Sequence, residues 1–150
     1  MAKWEAVSDV LDFAIRNEEE AATFYREIAS RAKNAVTKQV FEDYATEEDG
    51  HKSKLLKVKS SGTLKKAAGT VLDLKVGDYL VESVTADMDY QQMLILAMKK
   101  EKAAFRLYTD MAGAANDEGL KEILLFLAQE EAKHKLRFEI EYDEQILREN

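Results

Sequence analysis

The strongest constraint in this sequence is that it repeats itself, with residues of the first half recurring 83 positions later and no gap between them. Leu11 returns as Leu94, Ala14 as Ala97, Glu18 as Glu101, Ala21 as Ala104, Tyr25 as Tyr108, Ala29 as Ala112 and Ala32 as Ala115. Further along, Lys38 returns as Lys121, Ala45 as Ala128, Glu47 and Glu48 as Glu130 and Glu131, His51 as His134, and Lys52 as Lys135. A chain made of two copies of one unit is expected to set them about a pseudo-twofold axis.

Each copy reads as a pair of helices. Val7, Val10, Leu11, Ala14, Ile15, Ala21, Ala22, Phe24, Tyr25 and Ile28 keep the three-and-four spacing of one helix face, which predicts a helix over about 4–32. Lys33-Asn34 breaks the pattern, and Asn34 can cap a second helix over about 35–59, whose apolar run includes Val40, Phe41, Tyr44, Ala45 and Leu55. In the second copy, Asp89-x-x-Gln92 has the form of a capping box and opens a helix over about 89–113, stopped at Gly113. Asn116 or Asp117 then caps a fourth helix over about 117–148. With no proline and only six glycines, little else interrupts them. The stretch of about 60–88 carries Gly69, Gly77 and a β-branched run (Val71, Val76, Val81, Val84, Thr85) without helical period, and reads as a crossover holding a short strand or a helical turn. The expected fold class is all-α: a four-helix bundle made of two duplicated helical hairpins joined by a long crossover. Placing two hairpins about a pseudo-twofold is what calls for so long a connection.

Composition narrows the chemistry. A length of 150 residues suits a single domain over 1–150 with a sizeable core. The absence of cysteine excludes disulfides, thiolate zinc or iron–sulfur centres and a cysteine nucleophile, so any site must use oxygen and nitrogen ligands. A net charge of −7 argues against nucleic acid and anionic membrane surfaces as partners, since both need counter-charge. The locally basic stretch from Lys52 to Lys66 is short and lies in a loop-like region. No N-terminal apolar run or spanning segment is present, so a cytoplasmic protein is expected.

The repeat preserves carboxylates and imidazoles on its apolar stripes. Ala14, Glu18, Ala21 and Tyr25 are spaced four, three and four apart, which points Glu18 into the bundle, and Glu101 follows the same pattern. Glu19 and Glu20 are alternatives to Glu18, and the register with Glu101 decides for Glu18 with Glu20 as the fallback. Phe41, Tyr44, Ala45, Glu48, His51 and Leu55 form one stripe, and Leu124, Leu127, Ala128, Glu131, His134 and Phe138 its counterpart. The chain has only two histidines, and both follow a glutamate by three residues, a spacing that puts the two side chains on one face within reach of a common ion. Four ionised glutamates facing an apolar interior need compensation, because an uncompensated buried charge costs several kcal/mol. Two divalent cations would balance them, and each imidazole would add one neutral ligand.

One glutamate from each of two helices and one Glu-x-x-His from each of the other two is the ligand set of di-iron carboxylate bundles. With Glu18, Glu48/His51, Glu101 and Glu131/His134 in that order, the sequence resembles the rubrerythrin-like branch of the ferritin-like superfamily. The shared pattern, Glu-x-x-Ala-x-x-x-Tyr followed by Glu-Glu-x-x-His, covers Leu11 to Leu55 and Leu94 to Phe138. The resemblance implies two iron ions, with manganese as the other possibility, held by Glu18, Glu48, His51, Glu101, Glu131 and His134, and chemistry centred on the four glutamates. It also implies outer partners for the imidazoles: Glu47 for His134 and Glu130 for His51. Tyr25 and Tyr108 stand where a phenol can bond a ligand carboxylate or simply fill the core.

The function implied is a di-iron oxidoreductase that reduces peroxide or O₂. Two departures from the rubrerythrin pattern matter. Without cysteine there is no rubredoxin domain here, so a separate rubredoxin-like donor protein is expected. Where rubrerythrins carry a further ligand glutamate, three residues past Glu101, this chain has Ala104. The alternatives are a ferritin-like iron-binding ferroxidase and a non-catalytic helical bundle, metal-binding or serving as an interaction module. A homodimer is the expected assembly.

Overall fold

The computed structural model describes residues 7–61, 76–82, 84–115 and 117–149, and among the described residues there are four long helices and one short turn of 3₁₀ helix. They are α1 (Val7–Arg31), α2 (Ala35–Ser61), the 3₁₀ turn Val76–Tyr79, α3 (Tyr90–Ala114) and α4 (Glu118–Glu149). The architecture is the all-α bundle of two hairpins expected from the repeat: α1 packs along α2, and α3 along α4. The hairpins meet chiefly where α1 crosses α3. Residues 4–6, expected to begin the first helix, Asn116, and residues 62–75 of the crossover lie outside the described residues. Among the described residues of the crossover a helical turn is found and no strand.

The helix starts follow from side-chain oxygens that accept otherwise orphaned backbone donors. Asn34 Oδ1 accepts from Thr37 N at 2.8 Å, and Asp117 Oδ1 from Leu120 N at 2.9 Å. Asp89 and Gln92 form a reciprocal capping box at the start of α3, each bond 2.8 Å long. Two ends differ from expectation. α3 continues through Gly113 to Ala114 and stops where Ala115 turns to extended backbone. Gly113 is exposed and keeps helical backbone rather than a left-handed φ, so it does not form the expected C-terminal glycine turn. α2 runs to Ser61, two residues past its expected end, so Lys52 to Lys59 are helical, as the expected span has them, and the loop-like reading of the basic stretch fails for that part.

The core is split into two apolar clusters. One gathers Val10, Leu11, Phe13, Ala14, Ile15, Leu55, Val58, Tyr79, Leu107, Met111, Leu120, Leu124 and Leu127. The other gathers Ala22, Phe24, Tyr25, Ile28, Phe41, Tyr44, Met93, Leu94, Leu96 and Phe138. On every helix the break between them falls at a glutamate: Glu18, Glu48, Glu101 and Glu131, each buried. A polar layer therefore sits at mid-height of the bundle, sealed at both ends by apolar packing. Outside it, α1 and α2 are laced by Arg26–Asp49 (2.6 Å), Lys52–Glu19 (2.9 Å) and Lys59–Asp12 (2.6 Å). Exposed pairs of this kind contribute about 0–1 kcal/mol each and set register more than stability. Tyr79 anchors the crossover by donating to Asp110 Oδ2 at 2.6 Å. Among the described residues no helix is long and apolar enough to cross a membrane.

Candidate metal centre

Helix spacing, which aligns positions four and three apart on one face, delivers one glutamate from each helix to the mid-height layer. Glu18, Glu48, Glu101 and Glu131 are 2% exposed or less, and His51 and His134 are 3% and 0% exposed. Their ligand atoms form two groups, Glu18/Glu48/His51/Glu131 and Glu48/Glu101/Glu131/His134, each with atoms within 4.8 Å of one another. Glu48 and Glu131, the glutamates of the two Glu-x-x-His motifs, belong to both. Glu18 and Glu101 each serve one.

Both imidazoles turn Nδ1 inward. His51 Nδ1 lies 2.8 Å from Glu131, 3.4 Å from Glu18 and 3.5 Å from Glu48. His134 Nδ1 lies 2.9 Å from Glu48 and 3.7 Å from Glu101. The two rings face each other at 6.1 Å, only 17° from parallel. Glu19 and Glu20, the alternatives to Glu18, are exposed, and Glu19 is spent on the ion pair with Lys52.

The remaining sequence candidates separate. Tyr25 and Tyr108 are buried and bond the centre across the hairpins: the Tyr25 hydroxyl donates to Glu101 Oε1, and the Tyr108 hydroxyl to Glu18 Oε1. Glu47 Oε2 lies 3.3 Å from His134 Nε2. Glu130 makes no corresponding contact with His51 among the described residues, and lies instead 4.0 Å from Lys133 Nζ. That asymmetry corrects the paired expectation.

Three features were not singled out from sequence. Tyr44 stacks on the His134 ring at 4.0 Å, and its place on the second-helix stripe was the available signal. Tyr79 reaches the core from a stretch without periodicity, so nothing in the pattern pointed to it. Glu141 and Gln145 continue the buried stripe of α4 beyond Phe138, and Thr37 Oγ1 donates to Glu141 at 3.4 Å.

The electrostatics show what the layer lacks. Burial, with repulsion from Glu131, raises Glu18, and the same two causes hold Glu48 and Glu101 well above the ordinary carboxylate range. Burial opposes ionisation of Glu131 too, but the neighbouring Glu101 carboxyl and the His51 pairing outweigh it and bring Glu131 down to about 2. Burial presses His51 toward its neutral form, yet Glu131 and Glu18 lift it to about 10. His134 is lowered, by burial first. Four carboxylates cannot all ionise here without added positive charge.

The donor atoms fit such a charge. Glu18 Oε2, both oxygens of Glu48, Glu101 Oε2, Glu131 Oε1 and both Nδ1 atoms are buried and make no well-aligned hydrogen bond; their close polar neighbours are one another, His51 Nδ1 at 2.8 Å from Glu131 and His134 Nδ1 at 2.9 Å from Glu48. Buried polar atoms are almost always satisfied, so seven converging on one point suit metal coordination rather than packing. Hard oxygen donors with one imidazole per group match iron or manganese. A cavity of about 220 Å³ leads to the layer from exposed Arg16, Glu20 and Leu80 and reaches Glu18 and Glu101. Ala21, Ala103 and Ala104 form part of its wall.

The family model described as rubrerythrin matches residues 9–142. A crystal structure of a candidate ferritin-like diiron-carboxylate protein from Thermotoga maritima is 22% identical and superimposes with a TM-score of 0.76, covering 97% of this chain and 99% of that one. A hypothetical protein from Pyrococcus furiosus is 23% identical, with a TM-score of 0.73 and 91% of each chain covered. At such identities these likenesses speak to the fold. No curated protein matches the chain.

Proposed function

Because the chain belongs to the rubrerythrin family, and its helices gather unpartnered carboxylates and imidazoles in one buried layer, we propose that it is a di-iron oxidoreductase of the cytoplasm. It reduces peroxide or O₂ with electrons from an external donor protein. The observation that carries this reading is the convergence of seven unsatisfied buried donor atoms beside a cavity sized for small molecules.

When bound, a pair of iron ions supplies a two-electron redox change. Glu48 and Glu131 stand between the two groups and would be shared, with Glu18 and His51 serving one ion and Glu101 and His134 the other. The Tyr25 and Tyr108 phenols hold Glu101 and Glu18 by one oxygen each, leaving the second oxygen of each carboxylate free to coordinate. Glu47 would accept a hydrogen bond from Nε2–H of His134 and so hold the Nδ1 lone pair inward. The cavity admits the oxidant past Ala21, Ala103 and Ala104, and the protons that reduction consumes reach Glu18 and Glu101 by the same opening. No cysteine is present to hold a rubredoxin-type iron, so electrons are delivered from outside these residues. A homodimer belongs to this reading, supported by Leu136, Ile140 and Leu147, exposed on α4 at 58%, 41% and 75%.

Ala104 favours a second reading. Standing in the cavity wall where the family pattern has a further ligand glutamate, it leaves a simpler centre suited to a ferritin-like ferroxidase. An anaerobic Fe(II) titration of metal-free protein, followed by mixing with peroxide or O₂, separates the readings. An endpoint at about two ions per chain with faster oxidation by peroxide supports the oxidoreductase. Faster oxidation by O₂ that continues past that endpoint supports the ferroxidase. No endpoint would overturn both and leave a structural bundle.

A further inference from the structure

The repeat makes the two halves of the layer nearly equivalent, and the places where equivalence fails lie around the imidazoles. His134 is held from α2 on two sides. Glu47 Oε2 lies 3.3 Å from its Nε2, and the Tyr44 ring stacks on it at 4.0 Å, 25° from parallel. The repeat-mates of these residues, on α4, are Glu130 and Leu127. Leu127 has no ring to stack, and Glu130 makes no contact with His51 among the described residues; Lys133 lies near both glutamates, 3.8 Å from Glu47 and 4.0 Å from Glu130, and so does not tell them apart. Among the described residues the only aromatic neighbour of His51 is His134 itself, and no carboxylate meets its outer nitrogen.

We propose that the two halves of the centre are unequal: the half formed by Glu48, Glu101, Glu131 and His134 takes a divalent cation first and more tightly, and the His51 half fills second. Glu47 and Tyr44 are the positioning residues responsible. A carboxylate on Nε2 fixes the tautomer with its lone pair at Nδ1 and raises the basicity of the ligand nitrogen. The stacked phenol ring fixes the imidazole plane, so less freedom is lost when the ion binds. His51 has neither support and must be ordered by the ion itself. The inference rests on the metal-centre reading above, and extends it to the order of loading.

The test uses Co²⁺ alone as the probe, titrated anaerobically into the metal-stripped full chain and followed by its visible absorption. Two phases of about one equivalent each are expected. His51→Ala should keep the tighter phase, and His134→Ala should lose it. Glu47→Gln should weaken the tighter phase by about 10- to 100-fold and merge the two. Glu130→Gln, at the repeat-mate position and half-buried like Glu47, should change neither. Two equal sites, an equal shift from Glu47→Gln and Glu130→Gln, or loss of the tighter phase in His51→Ala would overturn the inference while leaving the metal centre standing. Absence of any Co²⁺ uptake would overturn the centre, and the inference with it.

Discussion

Four glutamates, two histidines and two tyrosines hold most of what is specific to this protein. The tyrosines do more than fill space, because each phenol bonds a carboxylate supplied by the other hairpin. Replacing Tyr25 or Tyr108 by phenylalanine keeps the ring packing and removes one donor from a buried carboxylate. Each change is expected to cost about 1–3 kcal/mol in denaturant unfolding of the metal-loaded protein, with the two costs similar because the repeat makes the residues equivalent. Unchanged midpoints would show that the phenols are only core. At this scale the sequence placed both tyrosines beside the glutamates of their own helices. That each bonds the opposite hairpin was not legible, since spacing along one helix says nothing about what faces it.

Among the elements, the helix starts were the most legible. Asn34, Asp89 and Asp117 each sit at the start of a helix with an oxygen on the orphaned backbone donors, and capping is a local matter of a few residues. Asp89→Ala should therefore lower stability by about 1 kcal/mol in chemical unfolding while leaving metal stoichiometry unchanged, as α3 carries Glu101 three turns further on. A lost ion in that variant would mean that the start of α3 positions the centre directly. Helix ends were read less well. Gly113 looked like the stop, and α3 ends one residue beyond it, where Ala115 turns to extended backbone with its N–H on Ala112 O. The crossover's helical turn was one of two readings, beside a short strand, and the burial of its tyrosine was not legible for a related reason. Tyr79 is buried by long-range contact with the core and with Asp110, not by any local period.

For the whole molecule, the layer of like charges makes stability depend on pH and metal together. Glu18, Glu48 and Glu101 are raised, so their contribution to the metal-free fold is full below the ordinary carboxylate range and is lost as pH rises through their raised values. His51, raised to about 10, contributes fully below its ordinary value of 6.5 and loses that contribution as pH climbs toward 10. Glu131 runs the other way, contributing above the ordinary range of 4.5 and failing only as pH falls toward about 2. The metal-free protein should thus weaken from mildly acid pH upward, where the loaded protein gains because cations replace the protons. Melting curves with and without Fe(II) or Mn(II) should diverge as pH rises from about 5 to 8, with about 2.7 kcal/mol of added stability at a free metal concentration of 100 Kd. Parallel curves would count against the centre.

The sequence by itself determined the helices, the duplication that pairs them, and which glutamates and histidines share the inward stripes. Periodicity and a gapless repeat are local or internal properties, and they survive without knowledge of packing. The tertiary structure alone decided which phenol meets which carboxylate, why Glu47 reaches an imidazole and Glu130 does not, and where the cavity runs beside Ala104. Those depend on how helices cross and how side chains turn at the crossing, and a spacing rule fixes the face a residue lies on but not the neighbour it finds there.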